Sequence, residues 1–350
     1  MFFRKQLLIL LLLSVSAFSA DKNKNTVQDL GHATVFMYHH FGQSRYPSTN
    51  IRLDQFEQHL EYLSKNGYQV WALSKIVRHL LSGQSLPDKT VALSMDDAYI
   101  SIYTEAYPRL KQRKWPFTVF VNTIPVDNKA ANFMSWDQMR EMCSFGAEFA
   151  NHSLGHEVLL PRRDESKSTW KKRVRAEIEG AQKRLHEELG KTHNEDPRLF
   201  SYPFGEYDLP TAELIRDMGY VGVSQTSGPL DANSDFHALP RFAMAEAFGH
   251  MEGFELKLHT LPFPVESLSP KDHLIREENP PILRLRLKHP LKNIGCYLGN
   301  GSKLRVEHSG EREVQVQAKD PVQSPRDRYT CTAPAKDGHW YWYSHLWIVR

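Results

Sequence analysis

Between about residues 33 and 245, short apolar runs alternate with longer amphipathic ones. The runs at 34–41, 90–97, 117–123, 148–153, 199–205 and 221–225 are rich in Val, Phe and Tyr and mostly poor in charge. That texture predicts strands buried on both faces. Between them the apolar period lengthens. Leu53, Phe56, Leu60 and Leu63 recur at helical spacing, and Gly67 ends the run. Segments 74–81, 100–113, 136–144, 170–189 and 212–218 read the same way, with 170–189 so charged that it predicts a surface helix with one apolar stripe. Strand–helix alternation implies a parallel sheet, open or closed. Six or seven units in about 210 residues suit a small (β/α) barrel.

The pattern changes after Pro262. Pro264, Pro270, Pro280 and Pro281 punctuate a stretch read as a linker over 263–281. Runs of strand type follow at 282–287, 293–298, 304–308, 313–318, 329–333 and 340–349. Leu283, Leu285 and Leu287 alternate with Arg284, Arg286 and Lys288, the period-2 mark of a half-exposed strand. Gly299-Asn300-Gly301 and Asp337-Gly338 supply turns. The expectation is a small β-sandwich over 282–350 behind a barrel ending at 262. Aromatics at Trp340, Tyr341, Trp342, Tyr343 and Trp347 fit either a core and interface or a glycan-stacking surface.

Residues 1–19 read differently from both modules. Arg4 and Lys5 precede the unbroken apolar run Leu7 to Leu13, and small residues Ala17 and Ser19 precede Ala20. This is the layout of a secretory leader, and the run is short for a membrane span of about 20 residues. The chain is therefore expected to be exported, to a periplasm or the outside, with no transmembrane span after cleavage. In such a compartment Cys296 and Cys331 can bridge across the sandwich, leaving Cys143 as a spare thiol.

Composition adds exclusions. The chain has 350 residues, 41% hydrophobic and 24% charged, which excludes intrinsic disorder. A net charge of +3 is too even for a nucleic-acid partner. The balance hides a split: residues 271–350 hold 14 basic and 9 acidic side chains. Three cysteines exclude a Cys-rich zinc module.

The chemistry-bearing residues gather at strand ends. One strand runs into Asp96-Asp97, where a single Asp would suffice for a helix cap. Paired buried carboxylates need a neutralising partner, so the pair suggests one metal ligand and one base. A second strand runs into Asn151-His152-Ser153-Leu154-Gly155-His156, placing two histidines four apart, a spacing that suits a metal. A third ends in Ser201-Tyr202-Pro203-Phe204-Gly205-Glu206-Tyr207, where Pro and Gly can fix a turn that exposes N–H groups. Barrel enzymes assemble their sites at these strand ends.

Asp96-Asp97, then His152 and His156, then Tyr202-Pro203-Phe204-Gly205, in that order, resemble the motifs of polysaccharide deacetylases with the NodB-homology fold, carbohydrate esterase family 4. Met37-Tyr38-His39-His40-Phe41 is similar to the opening of the branch that includes poly-β-1,6-N-acetylglucosamine deacetylases. The resemblance covers about 33–262 and implies a distorted (β/α) barrel. By resemblance, Asp97, His152 and His156 bind a divalent metal, usually zinc, and Asp96 is the general base. The turn Pro203, Phe204, Gly205, with Tyr207 beyond it, serves substrate and oxyanion. Two departures stand out. Ala98-Tyr99 follows the acidic pair where the family usually has Gly. Ser201-Tyr202 stands where the family usually has an Arg before the Pro, so Arg241 is the candidate to orient the base, the alternative being a surface or salt-bridged Arg. The family's acid is a His in a Leu-Xaa-His motif. Leu256-Lys257-Leu258-His259 matches it loosely, and His39 or His40 compete.

The implied function is an exported, metal-dependent polysaccharide N-deacetylase that releases acetate from N-acetylglucosamine-type units. The substrate is a poly-N-acetylglucosamine, peptidoglycan or chitin-like chain. The same chemistry would serve an O-acetyl esterase. A glycan-binding protein on a decayed barrel is the reading from another class.

Overall fold

In the computed structural model the described residues are 29–190, 196–276 and 278–350. The leader expected at 1–19 lies outside them.

Six strands lie side by side, all parallel: β1 (His32–Tyr38), β2 (Thr90–Asp96), β3 (Phe117–Val121), β4 (Ala147–Asn151), β5 (Arg198–Ser201) and β6 (Tyr220–Val223). One short segment joins the two edges. Leu239 exchanges backbone hydrogen bonds with Gly222 and Ser224 beside β6. Then β7 (Phe242–Ala243) pairs in parallel with Phe36 and Met37 of β1. Pro240 sits where the segment changes partner, so its missing N–H removes no ladder bond. The sheet thus closes into a distorted barrel.

Helices α1 (Leu53–Lys65), α2 (Leu73–Leu81), α3 (Tyr107–Arg113), α4 (Trp136–Cys143), α5 (Lys167–Leu189), α6 (Leu209–Asp217) and α7 (Met251–Leu258) accompany the strands. Several start where the sequence offers a cap: Ser135, Ser166 and Asp208 accept from the N3 amides of α4, α5 and α6. The helix expected over 100–113 carries a π turn at Ile102–Ala106, separated by four residues from the acidic pair.

Period-2 alternation sorts each strand's side chains between two cores. Phe36, Tyr38, Leu93, Met95, Val119, Val121 and Phe149 face outward onto the helices. Ala33, Val35, Ala92, Phe120, Ala150, Leu199, Val223 and Leu239 fill the lower lumen. The next inward positions up the same strands are Ser94, Asp96, His152, Ser201 and Arg241. The barrel is therefore apolar below and polar above. Helix α2 plugs the bottom through Ile76, Val77 and Leu80. Its first turn meets the Glu148 carboxylate, which accepts from Ser74 N at 3.4 Å and from the Ser74 hydroxyl. A carboxylate is favourable at that positive helix end.

The C-terminal module has two four-stranded sheets. One orders β8 (Thr260–Pro262), β15 (Trp340–Ile348), β14 (Arg326–Pro334) and β11 (Gly295–Tyr297). The other orders β9 (Val265–Ser269), β10 (Ile282–Leu287), β13 (Glu313–Gln317) and β12 (Arg305–Gly310). Leu283, Leu285, Leu287, Val314, Val316 and Trp347 pack between them.

Two expectations change here. Part of the proline-punctuated stretch 263–281 is strand, because β9 pairs with β10. Pro264 and Pro270 flank that strand, so the edge keeps its donors. The disulfide joins Cys296 and Cys331, which lie directly opposite on β11 and β14, within one sheet rather than across the sandwich.

Strand β15 is covered on both sides. Tyr341, Tyr343 and Trp347 join the sandwich core, while Trp342, Leu346 and Ile348 pack on the barrel. The aromatic run is core and interface, with Trp340 left 39% exposed.

Candidate functional site

The polar upper layer centres on Asp96, which is fully buried. Its carboxylate takes a two-pronged contact from Arg241, Nη1 to Oδ1 at 2.7 Å and Nη2 to Oδ2 at 2.8 Å. The remaining Arg241 donors reach Ser94 Oγ at 3.2 Å, Ser201 Oγ at 2.9 Å and the Ser224 carbonyl at 3.0 Å. All five guanidinium N–H groups are therefore used, as a buried Arg requires. Ser201 Oγ also donates to Asp96 Oδ2 at 3.2 Å. Oδ2 thus carries two bonds and Oδ1 one. Burial pushes the Asp96 carboxyl up, but Arg241, His152 and His39 more than offset it and hold it below the usual carboxylate range. In place of the absent motif Arg, Ser201 completes the socket and Arg241 arrives from the closing segment.

Beside this pair, Asp97, His152 and His156 present ligand atoms all within 4.8 Å of one another. The Nε2 atoms of His152 and His156 each lie 3.4 Å from Asp97 Oδ1. His152 Nδ1 donates to the Ser201 carbonyl at 2.7 Å. A carbonyl only accepts, so this bond fixes the Nδ1 proton and turns Nε2 toward Asp97. Yet both Asp97 Oδ1 and His152 Nε2 are buried without a hydrogen-bond partner. Two orphaned buried acceptors aimed at one point, with a third nitrogen beside them, fit a borderline divalent cation. Burial lowers His152, but Asp97 and Asp96 outweigh it and raise it, so the carboxylates call for positive charge at that nitrogen. His156 is drawn down to about 4 by burial and by His152. Burial raises Asp97, and His152, His39 and His156 bring it below its ordinary range.

The loops that aim these groups are strained. Asp97, Ala98, Ser153, His156 and Phe204 all have positive φ, at 74°, 54°, 67°, 59° and 59°. Such outliers gather where surrounding structure over-determines them. Residues 152–156 form a tight loop. Ala98 holds the left-handed conformation that Gly would adopt freely.

The other sequence candidates divide. His39 lies close enough for its charge to act on Asp96, Asp97 and His156. His40 is stacked between Tyr46 and Tyr99, at 4.3 and 3.7 Å between ring centroids, and is bonded to Thr49. Its surroundings are structural. His259 follows α7 and packs against His339, whose charge acts on His32 at the start of β1. That is the opposite end of the barrel from Asp96, a strand length of about 20 Å away. The Leu-Xaa-His likeness is thus coincidental for position. Phe204 sits at the site, its ring edge-on to His156 at 4.4 Å and 39% exposed. Tyr207 does not: it is buried against Tyr202 and His273. In the Pro203–Gly205 turn, Gly205 N bonds to Tyr202 O and Glu206 N to Pro203 O. Among the described residues this leaves the Phe204 amide as the available donor. Sequence reasoning gave no role to Ser94 or Ser201, whose only signal was their inward register, nor to the Ser224 carbonyl, which carries no side-chain signal at all. It also missed Tyr99, which lies beside Asp97.

The family model described as polysaccharide deacetylase matches residues 83–223. That span holds Asp96, Asp97, His152, His156 and the Pro203–Gly205 turn, and stops short of Arg241. A poly-beta-1,6-N-acetyl-D-glucosamine N-deacetylase of Escherichia coli (strain K12) is 25% identical over 231 residues, 56% of this chain and 34% of that protein. This chain therefore spans about a third of that relative. A protein of the same name from Staphylococcus aureus (strain COL) is 25% identical over 250 residues, 68% of this chain and 84% of that one. The solved structure of the Streptococcus pyogenes deacetylase PplD in complex with acetate superposes with a TM-score of 0.56 at 23% identity, covering 65% of this chain and 98% of that chain. That likeness carries the fold. Taken with the buried Asp96–Arg241 pair and the Asp97–His152–His156 cluster, these matches identify the barrel as a polysaccharide deacetylase domain.

Proposed function

We propose that the protein is a metal-dependent polysaccharide N-deacetylase acting on N-acetylglucosamine units of a poly-β-1,6-linked type. The observation that carries this reading is the pair of orphaned acceptors, Asp97 Oδ1 and His152 Nε2, beside an Arg-clamped carboxylate. The substrate assignment rests on the two relatives bearing that name.

In this reading Asp97, His152 and His156 hold the cation, with zinc suited to a carboxylate and two imidazoles. When bound, a divalent cation polarises a carbonyl and makes a nearby water more acidic. Asp96 Oδ1, the less committed oxygen, takes the proton from the attacking water. Arg241 holds that carboxylate ionised and correctly turned, which counts because geometry governs proton transfer as much as pKa does. The Phe204 amide faces the developing oxyanion, and a pre-placed N–H donor costs no reorganisation there. His39 delivers a proton to the departing nitrogen, releasing acetate and a glucosamine unit. The exposed Phe204 ring offers a sugar an apolar face. Residues 1–19 direct export. Among the described residues no helix is long and apolar enough to cross a membrane.

The test is acetate release from purified poly-β-1,6-N-acetylglucosamine. Activity should vanish with a chelator, return with zinc, and be absent in Asp96→Asn. A metal-free protein that binds the glycan without releasing acetate refutes the reading. Release from O-acetyl esters alone redirects it to an esterase.

A further inference from the structure

The tight loop that carries both histidines spends every one of its N–H groups. His152 N donates to the Val121 carbonyl at 3.0 Å, and Ser153 N to Asn151 Oδ1 at 2.9 Å. Leu154 N donates to the Glu177 carbonyl at 3.0 Å, and Gly155 N to Glu177 Oε2 at 2.9 Å. His156 N donates to Ser153 Oγ at 3.0 Å. Both the main chain and the side chain of one residue, Glu177 in the middle of α5, are therefore committed to this loop. Its neighbours on the helix add to the grip. The Ile178 carbonyl accepts from Asn151 Nδ2 at 2.9 Å. Leu154 lies across Gly180 so closely that a Cβ there would stand 2.5 Å from Leu154 Cδ1. On the other side the Ser153 and Leu154 carbonyls accept from Thr123 N and Ile124 N at 3.3 and 2.9 Å.

The two histidines depend on this grip unequally. His152 follows directly on β4, and its Nδ1 is tied to the Ser201 carbonyl at 2.7 Å. The His156 ring makes no hydrogen bond among the described residues. Only the rings of His152 and Phe204 and the Asp97 carboxylate lie against it. Its aim is therefore set by its backbone, whose φ of 59° persists only where surrounding contacts over-determine it. The residue just before it is Gly155, the least restricted of residue types. The bond from Gly155 N to Glu177 removes that freedom and fixes the direction in which the chain enters His156.

We infer that Glu177 is a positioning residue for the cation cluster: through the Gly155 amide it holds the His156 imidazole where Asp97 and His152 converge. This rests on the metal-dependent reading of the barrel. The role calls for an acceptor at that place rather than for a charge, since a neutral carbonyl oxygen also accepts from an N–H. Groups that orient a ligand without touching the cation are commonly worth about 10–100-fold in metal affinity. Helix α5 thus does more than cover the sheet. One turn of it, from Glu177 to Gly180, shapes the loop on which two of the three cation ligands stand.

The experiment measures the zinc affinity of the full chain by competition with a chromophoric chelator, beside the melting temperature of the metal-free protein. Glu177→Ala should weaken zinc binding about 10–100-fold. The metal-free melting temperature should move by no more than about 4 °C, the usual effect of losing one hydrogen bond in a chain of this size. Glu177→Gln keeps an acceptor and should restore the affinity. Gly180→Ala removes no hydrogen-bonding group but pushes Leu154 aside, and should weaken zinc binding in the same direction. Excess zinc should bring back acetate release in Glu177→Ala, which separates a weakened cation site from a broken one. Unchanged zinc affinity in Glu177→Ala overturns the positioning role, and so does an equal loss in Glu177→Gln. Should Glu177→Ala fail to fold, unchanged affinity in Gly180→Ala overturns it instead. A wild type that binds zinc without releasing acetate sinks the deacetylase, while the affinities still decide the positioning role. One that binds no zinc overturns both.

Discussion

Replacing Arg241 by Met removes a guanidinium of similar length to the new side chain while leaving the cation cluster untouched. Asp96 then lies fully buried with only Ser201 donating to it. Losing one member of a buried ion pair costs about 3–5 kcal/mol, because the survivor is an uncompensated charge. For a chain of this size that is roughly 6–15 °C in melting temperature. The surviving carboxyl relieves the cost by taking a proton, since burial raises it and Arg241 no longer opposes that. The sign follows from linkage. In the wild type Asp96 is held low, so its stabilisation is present above the unfolded pKa and lost as pH falls through the folded one. In the variant the folded pKa lies above the unfolded one, so the stability deficit is largest near neutrality and narrows toward pH 4. A protonated Asp96 cannot accept a proton, and acetate release should fall by about 10²–10⁴-fold, the usual worth of a general base. Zinc stoichiometry should stay at the wild-type value. Arg241→Lys, which keeps a charge but loses the fork, should fall between. The measurements are acetate release against pH, denaturant unfolding at pH 4 and 7, and metal content. A stability deficit independent of pH, with release within threefold of wild type, would refute the positioning role.

Three further outcomes follow from the same geometry. His39→Gln should lower acetate release by at least tenfold with little change in melting, whereas His259→Gln, at the other barrel end, should stay within twofold; the reverse ranking in an acetate assay would reinstate the motif-based acid. His59 is buried between Tyr38 and the Gly249 carbonyl and drawn down to about 4, chiefly by burial. A group lowered in the fold loses its contribution as pH falls from about 6.5 toward that value, so His59→Gln should remove about 2 kcal/mol of the stability lost between pH 7 and pH 5 in urea titrations. Changing both Cys296 and Cys331 to Ala opens a loop of 35 residues and should destabilise the C-terminal module by about 4 kcal/mol on a chain-entropy account; calorimetry that finds no separate or lowered transition would contradict this.

The barrel strands were legible because both their faces are buried, which writes continuous apolar runs into the chain. The closing strand was not. Phe242–Ala243 is two residues long, lies after Pro240, and pairs only with β1, the bond to the other edge being made by Leu239 before it. The Asp and His candidates were legible because they stand where apolar runs stop. Their socket was not, since Ser94 and Ser201 are ordinary residues until the inward register aligns them, and Ser224 contributes only a backbone carbonyl. His259 shows the opposite failure: a short motif matched, but α7 returns the chain to the wrong end of the barrel. In β15 the alternation was plain, yet only packing reveals that both faces are covered.

The closing strand also makes the base conditional. Asp96 stands in the middle of the sheet, but its counter-charge arrives about 145 residues later, on the segment that seals β6 to β1. Until that seam zips, the carboxyl has no guanidinium and no reason to remain ionised in a dry lumen. The three cation ligands, by contrast, all come from strands assembled earlier along the chain. A chain whose closing segment has not docked therefore has Asp97, His152 and His156 in place while Asp96 still lacks its guanidinium. Completion of the barrel wall and arming of the chemistry are one event.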